Sequence, residues 1–228
     1  MICLLLDLIG SKDISLWTIL GYLMSAILVV FVTLPLHEFA HGFIADKLGD
    51  PTPRRQGRLT LNPLAHLDPI GSLGILLFGI GWAKPVGINA RYFNNPKWGM
   101  AATAAAGPVA NIIMALLSLF ILNAIAVIFT MNNFVFYVFY YLAFINVYLA
   151  IFNLIPIPPF DGSRVLFAFL PTRYYFEIMR YERYIFIGLL VFLYMSSKMG
   201  FNPISHIAMS TLNALNYIAS LPFGSIRV

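Results

Sequence analysis

From Trp98 to Phe160 the chain carries no Asp, Glu, Lys, Arg or His. Such a run is too long for one membrane helix, and Asn132-Asn133 is its only strong turn signal. The expectation is a helical hairpin across a bilayer. The rest of the chain agrees: 60% of its 228 residues are hydrophobic and 10% are charged, a balance too apolar for a soluble globular domain. The fold expected is an all-α polytopic membrane protein with five to six transmembrane helices.

Leu16–Leu36 is a second uncharged run of spanning length, and the helix it begins is expected to continue to about Leu48, bent near Pro35. Tyr184–Ser197 and Ile204–Leu221 read as two further apolar helices. Between the first two full spans the pattern changes. Arg58-Leu59-Thr60-Leu61-Asn62 alternates polar and apolar, and Lys84–Asn89 looks similar, so a small β-hairpin or sheet is expected there. Ile70–Ala83 is apolar, rich in glycine and too short to cross, which suits a re-entrant segment. We read residues 1–228 as one domain, with a motif-bearing core at about 16–170 and C-terminal helices at 171–228. Met1–Gly10 lacks a basic leader region and carries Asp7, so it reads as a retained interfacial segment and not as a signal peptide.

The net charge of +5 comes from 14 Lys and Arg against 9 Asp and Glu. The basic residues sit beside apolar spans, notably Arg54, Arg55, Arg58, Lys84 and Arg91, and again from Arg164 to Arg183. The positive-inside effect explains them better than nucleic acid does, and it puts these loops in the cytoplasm and the N-terminus outside. The lipid bilayer is thus the first partner, and no nucleic acid is expected. No sequence feature sets an oligomeric state.

The chemistry begins at His37-Glu38-Phe39-Ala40-His41. On a helix, residues four apart share a face, so two imidazoles converge on one point. Glu38 follows the first of them, where its carboxylate can take a proton from water at a metal without being a ligand. This is the H-E-x-x-H pattern of zinc hydrolases. The alternative is a structural His/Glu cluster, costly in a membrane span. A catalytic zinc wants three protein ligands and an open fourth position. The lone Cys3 excludes a cysteine-rich site or an internal disulfide. Asp161 ends the charge-free hairpin on a segment broken by Pro156, Pro158 and Pro159, and it is the candidate third ligand. Its alternative is an interfacial carboxylate paired with Arg164.

These motifs resemble the site-2 protease family of intramembrane zinc metalloproteases, in a compact form without PDZ or nucleotide-binding modules. The match rests on HEFAH at 37–41, GPVAN at 107–111 and NLIPIPPFDG at 153–162, with NPLAHLDPIG at 62–71 beside them. The resemblance implies one Zn2+ per chain held by His37, His41 and Asp161, with Glu38 as catalytic base. It also implies an intramembrane endopeptidase of regulated proteolysis, acting on a membrane-spanning protein substrate. A multi-pass protein of a prokaryotic cell membrane, with its active site towards the cytoplasm, would follow. Asn111 would bind the substrate backbone or the oxyanion; otherwise it ties two helices together. His66 either joins the site, holds the re-entrant segment or satisfies a carbonyl. Asn153 either orients the Asp161 loop or caps its helix. A metal transporter is the competing class, but it would want several polar sites across the bilayer.

Overall fold

A computed structural model describes residues 15–78, 83–171, 178, 180–199 and 203–224. Three helical stretches among them are long and apolar enough to cross a membrane: Leu16–Lys47, Pro96–Ile128 and Asn133–Asn153. The reading of Met1–Gly10 lies outside the described residues.

The first stretch is built from α1 (Leu16–Leu28), a π-helical turn (Val29–Thr33) and α2 (Leu34–Lys47). Ser15 starts it, accepting the Thr18 amide on its hydroxyl at 3.2 Å. The turn just before Pro35 is wound as a π turn, in which the Leu34 amide reaches back five residues to the Val29 carbonyl. A proline in a helix lacks an N–H and crowds the preceding turn, and a widened turn accommodates both. Pro35 then sits in the first turn of α2, where its missing N–H matters least.

The charge-free run forms the expected hairpin. Its arms are α6 (Pro96–Ile128) and α7 (Asn133–Asn153), and Asn132 caps α7 by accepting the Phe134 amide at 2.8 Å. Helix α1 packs on α7 through small residues. A Cβ at Gly21 would run into Tyr137, and the Ser25 hydroxyl donates to the Val138 carbonyl at 2.6 Å. Close approach of backbones is how helices associate where lipid removes the hydrophobic drive. Asn146 on α7 donates to the Thr33 hydroxyl at 3.2 Å, fixing the π turn to the hairpin.

Near the C-terminus, α9 (Glu182–Lys198) and α10 (Pro203–Ser220) match the two expected apolar helices. Helix α10 packs against both arms of the hairpin: Asn123 donates to Asn216 at 2.9 Å, and Tyr148 meets Ser205 at 2.8 Å. Two buried clusters result. One joins Tyr22, Val29, Leu34, Ile75 and Leu142; the other joins Leu119, Val147, Ala208 and Leu212. Large apolar side chains such as Ile113, Leu117 and Val191 stay exposed, as lipid-facing residues do.

The connection from α2 to α6 holds three short helices, α3 (Thr52–Arg55), α4 (Pro63–His66) and α5 (Pro69–Phe78). At ten residues, α5 is about 15 Å long, half the bilayer core. The expected β-hairpin is absent: among the described residues there is no strand. Alternation makes a strand only when a second strand answers its hydrogen bonds. Here side chains answer instead. His66 Nε2 donates to the Thr60 carbonyl at 2.9 Å, the Asn62 amide donates to the Thr60 hydroxyl at 3.1 Å, and Arg58 donates to the Ala65 carbonyl. The 84–89 stretch is likewise not a strand.

Candidate metal centre

Helix α2 presents two adjacent stripes. His37 and His41 form one, turned inward and buried at 6% and 7% exposure. Glu38 and Gly42 form the next, turned to the loops. Opposite the first stripe lies Gly107 of α6. A Cβ built there would stand 2.6 Å from His37 Nε2 and also collide with His41 Nε2. Any other residue at 107 would fill the space at which both imidazoles point.

Asp161 enters from the far end of the hairpin. Phe160 packs edge-on against Phe152 of α7 and Phe186 of α9, with ring centres 4.7 and 5.9 Å away, and Asp161 then opens α8 (Asp161–Phe167). Its Oδ2 lies 3.5 Å from His37 Nε2 and 3.2 Å from His41 Nε2, and the two Nε2 atoms are 3.0 Å apart. Burial alone would raise the Asp161 pKa, but the two imidazoles beside it dominate and hold the carboxyl well below the usual carboxylate range. Arg164 is exposed and pairs with no carboxylate among the described ion pairs.

Three donors on a tetrahedral zinc, bound at about 2.0–2.1 Å, stand about 3.3 Å from one another. The observed separations of 3.0, 3.2 and 3.5 Å bracket that value. The tautomer suits a metal as well. His41 Nδ1 lies 2.7 Å from the Thr103 carbonyl, which can only accept, so Nδ1 carries a proton and Nε2 is the nitrogen whose lone pair a metal would take once its own proton is displaced. His37, His41 and Asp161 form the one group of potential metal donors among the described residues. The three residues therefore fit a zinc ion.

Glu38 lies outside this triangle, and its Oε2 accepts the Val86 amide at 3.0 Å. Asn111 lies one turn beyond Gly107 on α6. It is 1% exposed, and both atoms of its amide lack a hydrogen-bond partner. His66 is not part of the metal group. His66 bonds to the Thr60 carbonyl, and Asn153 donates to Leu149 in its own helix at 2.9 Å. Sequence reasoning overlooked Gly107, Thr103 and Val86. Gly107 alone had a visible signal, as the first residue of the GPVAN motif.

Residues 123–196 match the family described as Peptidase family M50. The chain is 37% identical over 182 residues to the Bacillus subtilis (strain 168) protein named "Putative zinc metalloprotease YwhC", covering 76% of this chain and 80% of that one. It therefore belongs to peptidase family M50, the site-2 protease family. It is also 37% identical over 164 residues to "Putative zinc metalloprotease Rip2" of Mycolicibacterium smegmatis, covering 64% of this chain and 59% of that protein. A third relative, "Zinc metalloprotease MJ0392" of Methanocaldococcus jannaschii, is 29% identical over 147 residues, 64% of this chain and 34% of its own length. No solved structure matches.

Proposed function

We propose that this chain is a zinc-dependent intramembrane endopeptidase, cutting a peptide bond in or near a transmembrane segment of a membrane protein during regulated proteolysis. The observation that carries the reading is the triangle of His37, His41 and Asp161 donors, with Glu38 one residue from its first corner, inside an apolar helical chain. The relatives' names, zinc metalloproteases from bacteria and an archaeon, point the same way.

In this reading His37, His41 and Asp161 hold one Zn2+. When bound, the ion supplies a Lewis acid and acidifies water. The remaining work falls to the chain. Glu38 takes a proton from the attacking water and returns it to the leaving amine. The Thr103 carbonyl keeps the His41 ring in the tautomer that leaves Nε2 free. Asn111, buried with its amide unpartnered, donates to the substrate carbonyl or the developing oxyanion. A substrate helix must unwind first, because its carbonyls are occupied by its own hydrogen bonds.

Residues 1–228 act as one multi-pass domain in a prokaryotic cell membrane, with α5 re-entrant and five or six crossings in all. Helices α9 and α10, at 17 and 18 residues, meet the lower length for a crossing, about 17 residues. The basic loops around α3 support a metal centre that faces the cytoplasm.

The test is Glu38→Gln in reconstituted vesicles carrying a membrane-spanning substrate, with zinc flux followed in parallel. Turnover should fall about 10²–10⁴-fold, the usual worth of a general base, while bound zinc is retained. Zinc flux in the wild type without proteolysis of any membrane peptide would overturn the protease reading in favour of a carrier.

A further inference from the structure

Glu38 is held from outside its own helix. The amide that its Oε2 accepts, from Val86 at 3.0 Å, lies 48 residues away in sequence. Val86 belongs to the 83–89 stretch, three of whose amides are taken up by side chains. Val86 donates to Glu38, Gly87 to Gln56 Oε1 at 3.2 Å, and Asn89 to Asp50 Oδ2 at 2.6 Å. Asp50 is fully buried, and its second oxygen accepts the Thr52 amide at 2.9 Å, so this anchor is fixed at both oxygens. The Val86 side chain closes the contact by packing over Gly42, where its Cγ1 lies 3.5 Å from the position of an added Cβ. Gly42 is four residues from Glu38, so the stretch lies along the stripe of α2 that carries the carboxylate.

We propose that the main-chain amide of Val86 is the positioning group for the Glu38 carboxylate, and that Asp50 and Gln56 hold that amide in place. The proposal rests on the reading of Glu38 as the base. A glutamate side chain has three rotatable bonds, and a base left free to sample them spends little time in reach of its proton. An N–H on Oε2 fixes the plane of the carboxylate and leaves Oε1 as the proton acceptor. An amide suits this role because it donates to the carboxylate without competing for the proton. Since the contact is made by backbone, removing it calls for a change to the main chain at 86.

The experiment replaces Val86 in the full chain by α-hydroxyvaline through nonsense suppression. The Pro85–Val86 amide becomes an ester, which removes one N–H and keeps the side chain. In zinc-loaded, reconstituted protein, kcat should fall about 10- to 100-fold, the worth of one hydrogen bond to a charged group, at unchanged KM and zinc content. A rise in KM at constant kcat would mean that the amide docks substrate, and would overturn the proposal. A second measurement needs no turnover: hydrogen exchange at the Val86 amide should accelerate at least about 10-fold in Glu38→Ala, and unchanged protection there would also overturn it. The two readings fail separately. A fully active Glu38→Gln removes the base, whereas an inactive Glu38→Gln beside a wild-type ester variant removes only the positioning role.

Discussion

Asn146 of α7 donates from Nδ2 both to the Thr33 hydroxyl at 3.2 Å and to the Leu142 carbonyl at 2.8 Å. One buried amide thus joins the hairpin to the π turn that lies four residues before His37. Thr33→Val keeps the shape and removes the acceptor. It should cost about 0.6 kcal/mol and at most about 2 kcal/mol, the range measured for hydrogen bonds between membrane helices. Unfolding in mixed detergent checks this, and in an Asn146→Ala background the same substitution should cost less.

Gly107→Ala should empty the metal site while leaving the helices formed. The added Cβ would fall 2.6 Å from His37 Nε2, so the imidazoles must swing out of the triangle. Metal analysis of purified protein should show the zinc content fall from near one per chain towards zero. Gly188→Ala on α9 is the matched control: nothing lies within 4 Å of its added Cβ, and zinc should be retained.

Asp161→Ala should lower zinc affinity sharply with the protein still inserted, and a normal stoichiometry would refute the ligand assignment. The metal-free protein offers a second measurement. Because the folded-state Asp161 pKa is depressed, its carboxylate adds stability above the ordinary carboxylate pKa, and that stability is lost as pH falls through the folded value. Asp161→Asn should therefore flatten the acid limb of the apo protein's pH–stability curve.

Single cysteines at positions 56 and 133, in a background lacking Cys3, should report the orientation of the chain. Gln56 lies in the basic loop region and Asn133 at the turn of the hairpin, and both are exposed. An impermeant thiol reagent added to intact cells should label position 133 and spare position 56. The reverse pattern would invert the topology.

The spans were legible because lipid allows few backbone arrangements, so hydropathy alone placed the first helix and both arms of the hairpin. His37 and His41 were legible because helical spacing converts directly into a shared face. Asp161 stood out because the run before it carried no charge. The loop between α2 and α6 was misread for the opposite reason. Alternation at Arg58–Asn62 records a backbone preference, but nothing in the sequence shows that His66 and the Thr60 hydroxyl will take the hydrogen bonds a strand would need. Val86 was invisible because its contribution is a main-chain N–H, which every residue but proline carries. Gly107 matters through the side chain it lacks, and only the opposing imidazoles reveal that.

The π turn also bears on which changes of length the first span tolerates. A π turn absorbs one residue more than an α turn, so the helices on either side keep the alignment of a regular helix one residue shorter. Wound as ordinary α-helix, Val29–Thr33 would rotate the His37/His41 stripe by about 100°, one residue's share of a turn, and aim it away from α6. Loss of one residue from this turn could be absorbed by rewinding, with both histidines still facing Gly107. A residue lost from within α1 or α2 has no such slack to draw on.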